Sequence, residues 1–232
     1  MKSLTHKIII YDDVCPICKA YTEGFVQLGW LPLENRIGFS QVPQAILSKI
    51  DSNRARHEIP LFGTETGETL YGKEALFYVL GEQMPFFKPL FRFAPFRAFI
   101  FRLYQIITYN RRIIAGSPTP KNGFDCAPDF NPFYRWLYIG IATFLSVWTL
   151  SDNFQTIDNQ WITLFFLISA AILRGAFFKS FKTKTDYFGH LATVFLIVAI
   201  VFNTIGINPI TTVLVPLLGV HIWTKRMRLI SK

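Results

Sequence analysis

The chain has 232 residues, with 24 lysines and arginines against 15 acids, and 51% of its residues are hydrophobic. Charged residues make up 17%, below the roughly 25% of an average soluble domain; this excludes a disordered chain, which needs low hydrophobicity and high charge. Three cysteines are too few for a small disulfide-stapled secreted domain.

The apolar residues are unevenly spread. Residues 131–232 carry three acids and nine bases, whereas residues 1–130 carry twelve acids and fifteen bases. The first part reads as a soluble domain and the second as membrane. The early apolar run Ile8–Tyr11 stops at Asp12 and Asp13, short of the about 7–15 residues of a secretory signal core. Membrane insertion is therefore expected to rely on a later segment.

Lys7–Tyr11 (KIIIY) is predicted to be a buried strand. Asp12-Asp13-Val14-Cys15-Pro16-Ile17-Cys18 follows, and then a predicted helix from Lys19 to about Leu28, ended near Gly29. A Cys-x-x-Cys that opens a helix sets its first sulfur beside unpaired N–H groups and the positive end of the helix dipole. Pro16 suits the first helical turn. Cys15, expected at the exposed N-terminal edge, is the candidate attacking thiolate, and Cys18, one turn on, the candidate resolving thiol. Asp12, three residues before Cys15, either relays a proton for the resolving thiol or raises the thiol pKa by like-charge repulsion. A zinc site is disfavoured, because Cys126 stands alone and His6 and His57 lack ligand spacing. No metal or cofactor is expected.

Arg36–Ser40 is a predicted second strand, 43–52 a helix, Glu58–Phe62 a strand, 63–67 a turn, Glu68–Tyr71 its hairpin partner, and 72–81 a helix. The predicted order is β-α-β-α-β-β-α.

That order resembles a thioredoxin-like fold. Asp12-x-x-Cys15-x-x-Cys18 after a strand resembles the DCC family of thiol–disulfide oxidoreductases. Tyr71-Gly72-x-x-Ala75 resembles the family's segment before the last helix. Tyr104-x-x-Ile107-x-x-Asn110-Arg111-Arg112 resembles its C-terminal helix. The resemblance covers about residues 7–116 and implies thiol–disulfide exchange with Cys15, Cys18 and Asp12 as the catalytic group. Asp13 departs from it, standing where the family usually has glycine. Thioredoxin-like proteins also place a cis-proline loop opposite the cysteines; Pro60 is the matching candidate, with an ordinary edge proline as the other reading. Pro60 and Pro16 are the candidate substrate contacts.

Between Glu82 and Asp125 there are seven bases, no acid and many interleaved phenylalanines. This stretch reads either as an amphipathic segment on an anionic leaflet or as a helix, from about Pro95 to Ile114, that packs on the core. A membrane accounts for the charge without nucleic acid. Residues 117–132 read as a Gly/Pro linker, with Cys126 a bystander or a second acceptor of the disulfide.

Four membrane spans are predicted: 134–150, 161–178, 187–207 and 209–223, the last short and interrupted by Pro216. Trp136, Trp148, Trp161 and Trp223 lie near their ends. Loop 151–160 has two acids and no base, whereas loop 179–186 has three lysines and the tail carries Lys225, Arg226, Arg228 and Lys232. The positive-inside rule then puts both termini and the redox domain in the cytoplasm. Arg174, His190 and His221 fall within the spans, as snorkelling or interfacial groups or as a site for a lipid-soluble ligand.

The expected architecture is thus an α/β thioredoxin-like domain over 1–82, a basic aromatic helical extension over 83–116, a linker over 117–132, and an all-α transmembrane bundle over 133–232. The expected function is a membrane-anchored thiol–disulfide oxidoreductase. Its partners would be a protein or small-molecule thiol or disulfide and membrane lipids. The competing readings are a non-enzymatic membrane assembly factor and a ligand or cofactor site in the bundle.

Overall fold

The computed structural model describes residues 4–118, 126, 128–151, 172–175, 177–206 and 208–230. It divides into two compact units, residues 1–129 and 130–232.

The first unit is built on a mixed sheet of four short strands: β1 (Lys7–Tyr11), β2 (Arg36–Gly38), β3 (Pro60–Gly63) and β4 (Thr69–Tyr71). The order is β2-β1-β3-β4. β1 runs parallel to β2, and β3 runs antiparallel to both β1 and β4. The parallel pair needs a crossover, and α1 (Pro16–Gln27) supplies it. Two short helices, α2 (Gln44–Leu47) and α3 (Ser52–His57), lead into β3, and α4 (Gly72–Gln83) follows β4. The β-α-β-α-β-β-α order therefore stands, with one change. The single helix expected over 43–52 is broken, because Asp51 caps a new helix by accepting the backbone N–H of Asn53 and of Arg54.

Alternation along the strands separates two cores. Ile9 and Leu61 face Phe25 of α1 and Ala75 and Val79 of α4. Ile10, Phe62 and Tyr71 face the other way, onto Phe39, Ile50 and Ala55. Cys126 is buried in this second cluster. It packs against Ile10, Phe62 and their neighbours within the stretch expected to be a linker. Asp129 is also held in this unit, 3.6 Å from both Arg56 and His57.

After α5 (Lys88–Arg92) comes the 22-residue α6 (Ala94–Ala115), close to the expected bounds. It ends at Gly116, whose φ of +63° and N–H bond to the Arg112 carbonyl form a left-handed cap.

The second unit is helical: α7 (Pro132–Ser151), α8 (Phe181–Ile205) and α9 (Pro209–Ile230), with residues 172–175 also helical. Arg135 of α7 bonds Asp186 of α8 at 2.7 Å, and Tyr138 bonds Thr193 at 2.7 Å. Arg226 of α9 lies 3.2 Å from His190 Nδ1. Among the described residues one helix, the 25-residue α8, is long and apolar enough to cross a membrane. The expectation of four spans is corrected accordingly. α7 falls short because a charged residue, Arg135, and several hydroxyl side chains interrupt its 20 residues. α9 contains Pro216 and ends in Lys225, Arg226 and Arg228. Most of the expected second span lies outside the described residues.

Candidate functional site

β1 delivers Asp12 at its end, and the chain turns at once into α1. Asp12 Oδ1 accepts the Val14 N–H at 3.0 Å, and the Asp12 carbonyl accepts the Cys15 N–H at 3.2 Å. This tight turn leaves Cys15 in extended conformation at the N-cap and Pro16 at the first helical position, where its missing N–H costs nothing. Cys18 falls three residues on, facing inward. Thr22 fastens the same turn by donating to the Cys18 carbonyl at 2.8 Å. Neither cysteine is in a disulfide.

β1 ends beside the start of β3 and the end of β4, so residues 12, 59 and 72 share one end of the sheet. α6 reaches this end as well. Gly72 has a φ of +53°, and a Cβ there would lie 2.9 Å from the Tyr104 hydroxyl and 3.0 Å from Glu58. Glycine is thus required both by the backbone and by the close approach of α6. Two turns further along α6, Arg111 is buried. Its Nη1 points at Cys18 Sγ from 3.8 Å, while its Nη2 donates to the Arg56 carbonyl at 3.0 Å and lies 3.7 Å from Asp12 Oδ2. The three segments singled out in the sequence meet here.

The two thiols are unequal. Hydrogen bonding from the Cys18 thiol draws the Cys15 pKa down from 9.0 to about 6, against the opposing effect of burial; the Cys18 backbone N–H and the Arg111 charge add to the lowering, and Asp12 opposes it. Cys18 moves strongly the other way, since it donates to Cys15 and is buried. Within the pair, negative charge is favoured on the N-cap sulfur and the proton on Cys18.

Asp12, Cys15 and Cys18 present ligand atoms within 4.8 Å of one another. A structural zinc site needs four such donors in a closed tetrahedron. Here the neighbouring position is taken by the Arg111 guanidinium, whose positive charge repels a metal ion and favours a thiolate. The donor set fits thiol chemistry better than metal binding.

The structure brings together Asp12, Cys15, Pro16 and Cys18 as expected, with one correction, and decides between the two readings of Pro60. Cys15 is 2% exposed, not at an open edge, because a short N-cap side chain is buried when other segments close over the helix terminus. Pro60 is trans; it opens β3, buried opposite Tyr71, in the role of a first-strand proline. Asp13 is hydrogen-bonded by the Ser40 hydroxyl and packs under Gly38. Arg111 is the site residue that sequence reading missed. Its signal lay in the Asn110-Arg111-Arg112 segment, which ties it to a helix but not to the sulfurs.

The other candidates separate. Arg174 and His221 are exposed, while His190 is buried against Arg226. No family model, curated protein or solved structure matches the chain.

Proposed function

We propose that the protein is a membrane-anchored thiol–disulfide oxidoreductase with a thioredoxin-like redox unit. The observation that carries this reading is the pair of unequal thiols at the head of α1. Cys15 is drawn down to about 6 and Cys18 is held up, with Arg111 set against them. The sheet order, with its third strand antiparallel to its neighbours and α1 and α4 on one face, supports the thioredoxin-like assignment.

The exchange runs in two steps. The Cys15 thiolate attacks one sulfur of a substrate disulfide. That S–S bond breaks, a Cys15–substrate disulfide forms, and the other substrate sulfur leaves as a thiolate and takes up a proton. Cys18 then gives up its proton and attacks the Cys15 sulfur. The Cys15–Cys18 bond forms and the second substrate sulfur departs. Two electrons pass from the pair to the substrate; the reverse sequence oxidises a dithiol. Cys15 is 2% exposed, so attack requires that it first become accessible to the substrate.

The anchor is the helical unit, with α8 as the membrane-crossing helix. Lys179, Lys182 and Lys184 precede or open α8. The positive-inside rule sets this end, and with it the redox unit, on the cytoplasmic side. Thiols there stay reduced and free to react.

The test is trapping. In the full chain, Cys18→Ser is expected to accumulate mixed disulfides through Cys15, and alkylation is expected to distinguish reduced from oxidised wild type. Absence of both overturns the reading. Stoichiometric zinc in the purified protein, lost in Cys15→Ala, would replace it with a metal site.

A further inference from the structure

The segment 83–124 contains no acid, and the structure divides its aromatic rings into two sets. Phe91 packs inward, 5.5 Å from Phe77 of α4 and 6.3 Å from Phe96. Phe86, Phe93 and Phe99 point outward and are 86%, 58% and 65% exposed. Arg92, Arg97 and Arg102 are exposed on the same stretch. Phe86 meets its chain neighbour Phe87, at 5.4 Å between ring centres, and most of the surface of the three outward rings is left uncovered.

The acids nearest in space, Glu74 and Glu82, share a groove with Arg92 and Arg97 but are engaged by Arg54 and Lys88, so the exposed rings and the bases beside them present a net positive, apolar surface. An anionic bilayer offers phosphate to the arginines and an apolar boundary to the rings. Such a surface is close at hand if α8 crosses a membrane, because the chain that carries α8 holds the redox unit at high effective concentration near the leaflet. A solvated basic helix would not expose three phenylalanines; rings beside basic side chains could also stack nucleic-acid bases, but the nearby membrane tether favours the lipid surface.

We infer that α5 and the N-terminal half of α6 form an interfacial docking surface for an anionic phospholipid leaflet. Phe86, Phe93 and Phe99 enter the headgroup boundary, and Arg92, Arg97 and Arg102 engage lipid phosphates. The inference rests on the membrane tether and is independent of the chemistry of Cys15.

The experiment uses the full chain in nanodiscs of phosphatidylcholine with or without phosphatidylglycerol. The three native cysteines are first replaced, Cys15 and Cys18 by serine and Cys126 by alanine, in a background checked for wild-type flotation, so that maleimide labels only the introduced thiol. A polarity-sensitive probe at Phe93→Cys or Phe99→Cys is expected to be quenched by spin-labelled lipid when phosphatidylglycerol is present. A probe at Glu65→Cys, in the exposed β3–β4 turn, is expected to stay unquenched. Reversal of Arg92 and Arg97 to glutamate is expected to weaken docking by at least about fivefold per base removed. Unquenched probes at 93 and 99 in anionic discs overturn the inference. So does equal quenching in neutral discs, which would mean apolar insertion alone. Shielding of the probes without lipid quenching would assign the face to a second copy or to another part of the chain. A chain that does not float with vesicles removes the tether as well, whereas a floated chain with unquenched probes removes the docking surface alone. Neither result touches Cys15 trapping.

Discussion

The two units bury arginines to different ends. In the sheet unit, Arg111 is directed at a sulfur and stands 3.7 Å from Asp12. In the helical unit, Arg135 makes a 2.7 Å bond to Asp186, and Arg226 faces the imidazole of His190. A buried charge must have a partner, since leaving it bare costs far more than the pair returns. The partner decides what the arginine does. Paired tightly with a carboxylate, it is structural glue between helices. Set loosely against a thiol pair and a carboxylate, it spreads its field over several ionisable groups at once.

The sharpest way to break this contrast is to remove each arginine in turn. Arg135→Met strands Asp186 in the helical unit and is expected to cost about 3–5 kcal/mol of its stability. Thermal unfolding of the detergent-solubilised chain would read this loss. The alkylation rate of Cys15 should be unchanged in the same sample. If that rate moves as well, the functional separation of the two arginines is wrong.

Arg111→Met is expected to do the converse. Hydrogen bonding from Cys18 does most to lower the Cys15 pKa and survives this change, so loss of the Arg111 charge is expected to raise it only in part. Iodoacetamide alkylation across pH 5–9 checks this: the midpoint should move upward, with Arg111→Lys restoring much of it. Loss of reactivity with no shift in the midpoint would mean that Arg111 acts only through packing.

The same lowered thiol makes the reduced protein's stability depend on pH, and the sign is fixed. Between pH 6 and 9 the unfolded Cys15 binds a proton that the folded one does not. Stability of the reduced form therefore rises with pH through this window, and the contribution is lost as pH falls through about 6. Denaturant titrations of wild type and Cys15→Ser at pH 5 and pH 8 should diverge at the higher pH only.

The strands, the cysteine-headed helix and α6 were legible in the sequence because each rests on local signals. These are a β-branched run, a proline at a helix start and a glycine at a helix end. The broken helix over 43–52 was not, because Asp51 acts as a cap only where the chain has already turned; Tyr71, twenty residues away, receives its N–H at 2.8 Å. Arg111 was hidden for a similar reason. Its partners are 93 and 99 residues back in the chain, and nothing in the spacing of one helix says what lies across from it. Gly72 links the two kinds of information. Gly72→Ala would meet both a positive φ and the Tyr104 hydroxyl, and is expected to cost about 1–2 kcal/mol for the backbone alone. It should also loosen α6 and slow Cys15 alkylation.

Asp12 offers the smallest effect and the finest distinction. Its charge raises both thiols, yet it also holds Arg111 at 3.7 Å. Asp12→Asn keeps an oxygen for the Val14 N–H and removes only the charge. If repulsion is its whole role, the Cys15 midpoint falls slightly and both steps of exchange proceed. If Asp12 also receives the proton that Cys18 must lose, alkylation quickens while closure of the Cys15–Cys18 bond slows by roughly 10²-fold or more, as for a general base. Rapid-quench measurement of the mixed-disulfide lifetime separates the two, because repulsion acts on the first sulfur and proton transfer on the second.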